Sequence, residues 1–185
     1  QADCRFEFRQ ADPAKWLDNA VQFQMLYNST WGLEERQPPL DLSQVLALME
    51  KLKEVLDWRL IWFAYFNGEP VAFFVGIPEL NNHLVQYVNG RIKFMDKFRL
   101  AGRSCHRSYE RAYGMYYGVL NQFQEMGVGL GLIAAMQEAW MTKLQIPYRS
   151  IEFGLVGDYD PKIIKLMKLA GGEVVRLHQT YRYWL

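Results

Sequence analysis

The segment of this chain best suited to bind a ligand is the closely spaced set Gln124, Gly127, Gly129 and Gly131. A glycine lacks a Cβ, so its backbone can approach a bound group closely and can adopt a positive φ angle. Where such a segment leads from a strand into a helix, backbone N–H groups point outward at the positive end of the helix dipole. The pattern therefore predicts an anion site that needs no Lys or Arg within the turn.

Other interpretations of these glycines are open. They can simply permit close packing of a helix on a strand. Gly129, Gly131 and Ala134 also match a loose dinucleotide-binding fingerprint, with Glu152 at about the position of the ribose-binding acid. Against a dinucleotide, only one helix and one strand are predicted after Val156, and Glu152 is predicted near the start of its strand rather than at its end. The absence of a Gly-Lys-Ser/Thr sequence excludes a Walker-type site.

The elements of the first half are predicted from hydrophobic periodicity. Apolar residues at helical spacing predict two amphipathic helices, over residues 16–25 and 42–56, the second with Asp41 as its N-cap. Residues 60–66 and 70–77 are rich in β-branched and aromatic side chains. They flank Asn67-Gly68-Glu69, which predicts a β-hairpin.

The elements of the second half are predicted to alternate. A strand over 111–120 leads through the glycines into a helix, and a strand over 151–156 follows. The next helix, 161–170, is predicted to be capped by Asp158 or Asp160 and closed by Gly171-Gly172, before a final strand over 173–184. Residues 81–102 are predicted to be irregular and to cross over the sheet. The order predicts a mixed α+β sheet domain.

Composition narrows the class of protein. Half of the 185 residues are hydrophobic, which is enough for one domain with a substantial core. The 21 Lys and Arg nearly balance the 20 Asp and Glu, so neither nucleic acid nor a membrane surface is an expected partner. Cys4, Cys105 and the three histidines lack metal-ligand spacing, so no metal is predicted and a reducing cytoplasm is expected. Because the chain begins at Gln1, an N-terminal domain in a longer parent protein is an open hypothesis.

From Tyr113 onward the chain resembles the GNAT (Gcn5-related N-acetyltransferase) family. The resemblance lies in a strand ending Gly118-Val119, the Q/R-x-x-G-x-G/A signature from Gln124 to Gly129, and a helix that ends at Gly171-Gly172. It implies a single α+β domain over residues 1–185, with a mixed, mostly antiparallel central sheet and flanking helices.

The first half resembles a bacterial subgroup of that family. The matching sequences are Tyr27-Asn28-x-x-Trp31-Gly32, Gly68-Glu-Pro-Val-Ala72, Ile77-Pro-Glu-Leu-Asn81 and Asn89-Gly-Arg91. In this subgroup the domain commonly forms the C-terminal half of a longer protein.

The resemblance implies that acetyl-CoA, or another acyl-CoA, is the cofactor. The pantetheine arm is expected to pair with the main chain of a strand and the pyrophosphate to bind the glycine turn. The residues that the resemblance assigns to the pantetheine arm are Tyr117, Gly118, Val119 and Leu120. Those that it assigns to the pyrophosphate turn are Gln124, Glu125, Met126, Gly127, Val128, Gly129 and Gly131.

The same resemblance implies direct attack of an amine on the thioester. A backbone N–H near Val119 is expected to stabilise the oxyanion, and Glu152 is the candidate general base. Many relatives carry a tyrosine on the helix after the 151–156 strand, where it acts as the general acid that protonates the leaving thiolate. Leu166 and Met167 occupy those positions here. Tyr159 is the candidate replacement, with Tyr116 and Tyr181 as alternatives.

Aromatic and Asn-rich loops are the candidate acceptor pocket, represented by Trp31, Asn81 and Asn89. The predicted function is N-acyl transfer to a small-molecule or peptide amine. Two alternatives stay open: a catalytically degenerate acyl-CoA-binding or scaffold domain, and a dinucleotide-binding domain.

Overall fold

The computed structural model describes most of the chain. The described residues are 6–31, 38–53, 55–79, 110–143, 146–154, 156–157, 161–179 and 181–183. They belong to two compact units, residues 1–155 and 156–185. In the first unit the strands are β1 (Phe6–Gln10), β2 (Ile61–Phe66), β3 (Glu69–Pro78), β4 (Arg111–Val119) and β5 (Ser150–Phe153). Its helices are α1 (Trp16–Thr30), α2 (Leu42–Leu52) and α3 (Val128–Thr142), and α4 (Pro161–Leu169) belongs to the second unit.

The sheet of the first unit has the order β1-β2-β3-β4-β5. Neighbouring strands from β1 to β4 are antiparallel, whereas β4 and β5 are parallel and are connected through α3. The expected mixed, mostly antiparallel sheet is therefore confirmed. A dinucleotide-binding fold requires a largely parallel sheet, so this topology argues against that alternative.

Local sequence signals account for the hairpin and for the start of α2. Asn67 and Gly68 both have positive φ angles, 52° and 87°, as a two-residue type I′ turn between β2 and β3 requires. The Asp41 N–H donates to Gln44 Oε1 at 2.8 Å, which is half of a capping box. The hairpin and the cap are thus where the sequence predicts them.

The core occupies both faces of the sheet. On one face α1 and α2 cover Phe63 and Phe73 of β2 and β3. On the other face α3 contributes Leu132 and Met136, which pack against Phe74. Both faces of the strands are therefore buried, which explains their nearly continuous apolar sequences.

Several predicted element boundaries were wrong. α1 continues to Thr30, and α2 ends at Leu52 rather than at residue 56. β5 ends at Phe153, three residues earlier than predicted. No strand forms in the described part of 173–183, although apolar and polar residues alternate there. A strand needs a neighbour to complete its hydrogen bonds, and alternation alone does not supply one.

The end of α4 agrees with its sequence. Gly171 has a φ angle of 82°, and the N–H of Gly172 donates to the carbonyl of Met167 at 2.8 Å. This pattern closes a helix with a left-handed glycine. The predicted caps Asp158 and Asp160 lie outside the described residues, as does the predicted crossover over 81–102.

Two searches of the described residues concern membranes and metals. No helix there combines the length and the apolar character that a bilayer crossing requires. Within the same parts of the chain, no three His, Cys, Asp or Glu side chains are grouped so that they could hold a metal ion.

Candidate functional site

The edge of β4 is the feature around which the candidate site is built. β3 pairs with β4 as far as Val119, but β5 pairs with it only from Arg111↔Ser150 to Gly114↔Phe153. Beyond Gly114, the described residues include no strand on the β5 side of β4. Residues 115–119 of β4 therefore present a strand edge that can accept an extended ligand.

A β-bulge marks the point where this edge opens. Val75 of β3 pairs with Tyr116 and Gly76 pairs with Gly114, so Met115 is an extra residue on β4. A bulge bends its strand and increases the local twist. Because β5 stops pairing at the same point, the bulge separates the closed part of β4 from its open part. No local sequence pattern predicts it, because a bulge depends on pairing with a distant strand.

The peptide groups of β4 alternate in direction. The N–H of Leu120 donates to the carbonyl of Val71 at 3.0 Å, so Leu120 is directed toward β3. Since the direction alternates along a strand, Gly118 also faces β3, whereas Tyr117 and Val119 face the open edge. The Val119 N–H thus points toward the open edge, and its assignment as an oxyanion donor stays a prediction.

Trp31 lies against this edge. It follows the last residue of α1, and its Nε1–H donates to the carbonyl oxygen of Tyr117 at 2.9 Å. Its ring also makes an edge-on contact with Tyr116, with centroids 6.1 Å apart.

On the other face of the sheet, burial raises the pKa of the Tyr117 hydroxyl well above its usual range. That hydroxyl is therefore neutral at physiological pH.

The glycine turn is more helical than the sequence predicted. A 3₁₀ helix spans Asn121–Met126, Gly127 follows with a φ angle of 74°, and α3 begins at Val128. Gly129 and Gly131 consequently lie within the first turns of α3 rather than in a loop. The Gly131 N–H donates to the Gly127 carbonyl at 2.9 Å. The N–H groups of Val128, Gly129 and Leu130 precede this bond and have no acceptor within the helix.

Among the described residues, no side-chain hydrogen bond caps the N-terminus of α3. The N-cap is Gly127, and a Cβ at this position would meet no atom of another described residue, its chain neighbours apart, within 4 Å. Glycine is therefore needed at position 127 for its backbone conformation, because residues with a side chain rarely adopt this φ angle. An uncapped, positively polarised helix end with open space before it is suited to bind an anion.

Packing explains two of the other glycines. A Cβ at Gly131 would lie 2.6 Å from the ring of Phe8 in β1. A Cβ at Gly118 would lie 2.5 Å from the ring of Phe73 and 2.8 Å from Thr30 Oγ1. Close helix–strand packing thus requires glycine at both positions, while the cofactor role assigned to them stays a prediction.

Gln124 stabilises the connection between β4 and α3. Its Nε2 donates to Asn121 Oδ1 at 3.0 Å and, more weakly, to the Val119 carbonyl at 3.4 Å. Glu125 and Met126 are exposed beside it. Through its side chain, Gln124 therefore fixes the geometry of the turn.

Glu152 lies in β5 opposite Tyr113, one pair before the strand ends. The prediction that it lies near the start of its strand was wrong, because β5 is only four residues long. The position of Glu152 in its strand therefore does not count against a dinucleotide, whereas the mostly antiparallel sheet does. Glu152 Oε1 is 3.0 Å from Arg111 Nη1, and Arg111 also lies 3.9 Å from Glu79. A base at this position must act beside an arginine.

The remaining predicted site residues are Tyr159, Asn81 and Asn89, and they lie outside the described residues. In the first unit the structure brings Trp31, Val119 and Gly127 to one end of β4, with Glu152 beside the closed part of the same strand.

No protein-family model matches the sequence. Among curated proteins the chain is similar to a bacterial ceramide synthase of Caulobacter vibrioides, with 22% identity over 179 residues. The match covers 94% of this chain and 45% of that protein. The chain thus spans about half the length of the curated relative that it matches.

Solved structures share the fold at low identity. An aminoglycoside N-acetyltransferase in complex with CoA has a TM-score of 0.60 and 19% identity, over 96% of this chain and 94% of that one. An aminoglycoside acetyltransferase from an uncultured soil metagenomic sample has a TM-score of 0.60 and 13% identity, over 100% and 99%. A GCN5-related N-acetyltransferase from Sphaerobacter thermophilus has 0.57 and 12%, over 91% and 41%. This chain therefore has the GNAT N-acetyltransferase fold.

Proposed function

We propose that this chain is an acyl-CoA-dependent N-acyltransferase that acts on a small-molecule or peptide amine. One observation carries the proposal: a single short 3₁₀ helix connects the open edge of β4 at 115–119 to the uncapped N-terminus of α3. A pyrophosphate and an extended amide-bearing arm, which coenzyme A combines in one molecule, match these two features.

In this proposal the coenzyme binds mainly to backbone groups. The N–H groups of Val128, Gly129 and Leu130 receive the pyrophosphate, assisted by the helix dipole. The pantetheine amides pair with the outward peptide groups of Tyr117 and Val119, as an added strand does. Because the Tyr117 carbonyl already accepts a bond from Trp31, the arm must share this acceptor or displace the indole.

The chemical step needs a neutral amine, a polarised thioester and a proton acceptor. The amine nitrogen attacks the carbonyl carbon while an outward backbone N–H of the open β4 edge stabilises the negative oxygen. The new C–N bond then persists as the C–S bond breaks and the coenzyme leaves as a thiolate. Glu152 is proposed to take the proton that the amine loses, and Tyr159 to supply the proton that the thiolate gains.

Three of the similar proteins support an amine as the acceptor. A ceramide, the product named in the Caulobacter protein, is an amide between an acyl group and a long-chain amine. The aminoglycoside N-acetyltransferases are likewise named for acylation of an amine. N-acylation is therefore the proposed reaction class.

A second candidate is a domain that binds acyl-CoA without turnover. Glu152 is engaged by Arg111, and Leu166 and Met167 stand where the resemblance expects an acidic tyrosine. Both facts concern catalysis and neither weakens the cofactor site. The two candidates therefore differ in turnover and agree on binding.

Calorimetry combined with an assay of thiol release separates the candidates. We expect CoA and acetyl-CoA to bind and NAD not to bind. Release of the CoA thiol should depend on an added amine, tested with long-chain amines, aminoglycosides and a peptide amine. Binding without amine-dependent release would favour the non-catalytic candidate. Binding of NAD in place of CoA would overturn the proposal.

A further inference from the structure

A cavity of about 60 Å³ lies between the sheet and the α1–α2 pair. Its lining is apolar, and its residues come from both helices and from three strands. Representative lining residues are Phe23, Met49, Leu52, Phe63, Val75 and Ile77. The amide of Asn19 also contributes, but its Nδ2 donates to the carbonyl of Asp12 at 2.7 Å. Such a lining suits hydrocarbon better than water.

This cavity reaches the strand that carries the proposed cofactor edge. Met115 and Tyr116 of β4 both line it. Met115 is the bulge residue, and Tyr116 directly precedes the edge residues Tyr117 and Val119. The cavity therefore begins where the open edge of β4 ends.

The path of a bound acyl group follows from the direction of β4. A coenzyme anchored at the N-terminus of α3 runs from Val119 toward Met115, so its acyl group points the same way. Ahead of it, pairing with β5 closes the edge at Gly114. A longer acyl chain must consequently turn toward one face of the sheet.

Only one of these faces offers space among the described residues. On the α3 side the rings of Phe74 and Phe153 are 5.7 Å apart. There, even a Cβ at Gly114 would lie 3.1 Å from Phe74 and 3.3 Å from Phe153. On the α1–α2 side lies the cavity. The geometry therefore directs the hydrocarbon toward α2.

We propose that this cavity is the subsite for the hydrocarbon chain of a medium-chain acyl group carried on coenzyme A. The inference rests on the proposed function and names the donor that it uses. A water-sized group needs roughly 10–15 Å³ of such space, so the cavity holds about four to six methylene groups. With the carbonyl carbon and its neighbour at the edge of β4, this corresponds to an acyl chain of about six to eight carbons. Leu48, which is 39% exposed, lies at its rim, where a longer chain would reach solvent.

Titration calorimetry with CoA and with acetyl-, butyryl-, hexanoyl- and octanoyl-CoA tests this without knowledge of the acceptor. Each methylene that enters the cavity should tighten binding by roughly fourfold. The gain should level off near six to eight carbons. The ratio of the acetyl-CoA and octanoyl-CoA dissociation constants is the quantity to compare between variants.

Substitutions of Met49 change the cavity in opposite directions. Met49→Trp fills it and should bring the ratio close to one. Met49→Ala enlarges it and should move the optimum to chains about two carbons longer. Ala47→Trp adds the same side chain to the exposed face of α2, outside the lining, and should keep the wild-type ratio. If Met49→Trp fails to fold, Met49→Ala decides.

The possible failures are distinguishable. If neither CoA nor any acyl-CoA binds, the proposed function falls and this inference falls with it. If all donors bind equally tightly, the inference falls and the proposed function stands. If the affinity for acyl-CoA still increases with acyl chain length in Met49→Trp, the hydrocarbon binds outside this cavity and the inference falls. Turnover with acetyl-CoA as donor would also be measured with amines of different chain length. If Met49→Trp changed how turnover depends on that chain length, the acceptor would lie in the cavity and the proposal would be overturned.

Discussion

Gly127 meets two demands, since it adopts a φ angle of 74° and leaves the N-terminus of α3 open. Gly127→Val should strain the backbone by roughly 1–3 kcal/mol and place a branched side chain before the helix end. We expect at least a tenfold weaker affinity for CoA, measured by calorimetry. Gly171→Val is the matched control, because Gly171 has a φ angle of 82° and equally open surroundings. Normal CoA binding by Gly127→Val would make the turn purely structural.

Glu152 and Glu79 both approach Arg111, and only Glu152 is proposed to be a base. Glu152→Gln should lower amine-dependent turnover by roughly 10²- to 10⁴-fold while acyl-CoA binding persists. Glu79→Gln removes the other carboxylate and should change turnover far less. Equal losses in the two variants would assign Glu152 to the ion pair and not to proton transfer.

At the scale of elements, Gly131 shows how a glycine in a binding signature can serve packing. Gly131→Ala should push α3 away from β1, because its Cβ would lie 2.6 Å from the Phe8 ring. We expect a free energy of unfolding lower by about 1–3 kcal/mol in denaturant titrations. A second substitution, Phe8→Leu, should restore part of this loss. If Gly131→Ala weakens CoA binding without any loss of stability, the packing explanation is wrong.

Elements set by neighbouring residues were predictable from the sequence. The hairpin turn at Asn67-Gly68 and the cap at Asp41 depend on a few adjacent side chains, and both form as predicted. β1 escaped the sequence analysis, although Phe6 and Phe8 alternate with polar residues. The end of β5, the bulge at Met115 and the lack of a strand in the described part of 173–183 depend on pairing partners that local patterns do not encode.

The candidate site was predictable to a similar extent. The glycine signature located the N-terminus of α3, and the cofactor roles that the resemblance assigns to Val119 and its neighbours stay predictions. The ion pair of Glu152 with Arg111 and the hydrogen bond of Trp31 to Tyr117 join residues 41 and 86 positions apart. Neither contact has a local signal in the sequence.

At the scale of the whole molecule, a buried carboxylate links distant parts of the first unit. Asp57 is 2% exposed, and its Oδ2 accepts hydrogen bonds from Arg59 Nη2 and from the Tyr148 hydroxyl, both at 2.7 Å. Burial opposes ionisation of Asp57, but the hydrogen bonds from Arg59 and Tyr148 outweigh it and lower its pKa. The network fastens the start of β2 to the segment before β5.

Stability should therefore depend on this carboxylate and on pH. Asp57→Asn should lower the free energy of unfolding by about 2–4 kcal/mol near pH 7, because Arg59 loses its counter-charge. Since the folded-state pKa is lowered, the contribution is present above the unfolded value of about 3.9 and is lost as pH falls through the folded value. The difference in the free energy of unfolding between the wild type and Asp57→Asn should therefore become smaller in acid. Glu7→Gln, in the exposed pair with Arg9, should cost less than about 1 kcal/mol.

Amide hydrogen exchange can test whether coenzyme A lies along the open edge of β4 with its pyrophosphate at the N-terminus of α3. Exchange at single residues would be measured with and without saturating CoA. Exchange should be slower with CoA at Val119, Val128 and Gly129, whose N–H groups face the ligand. The Leu120 N–H, already bonded to Val71, should change little. Unchanged exchange at all three ligand-facing amides while CoA is bound would contradict the account.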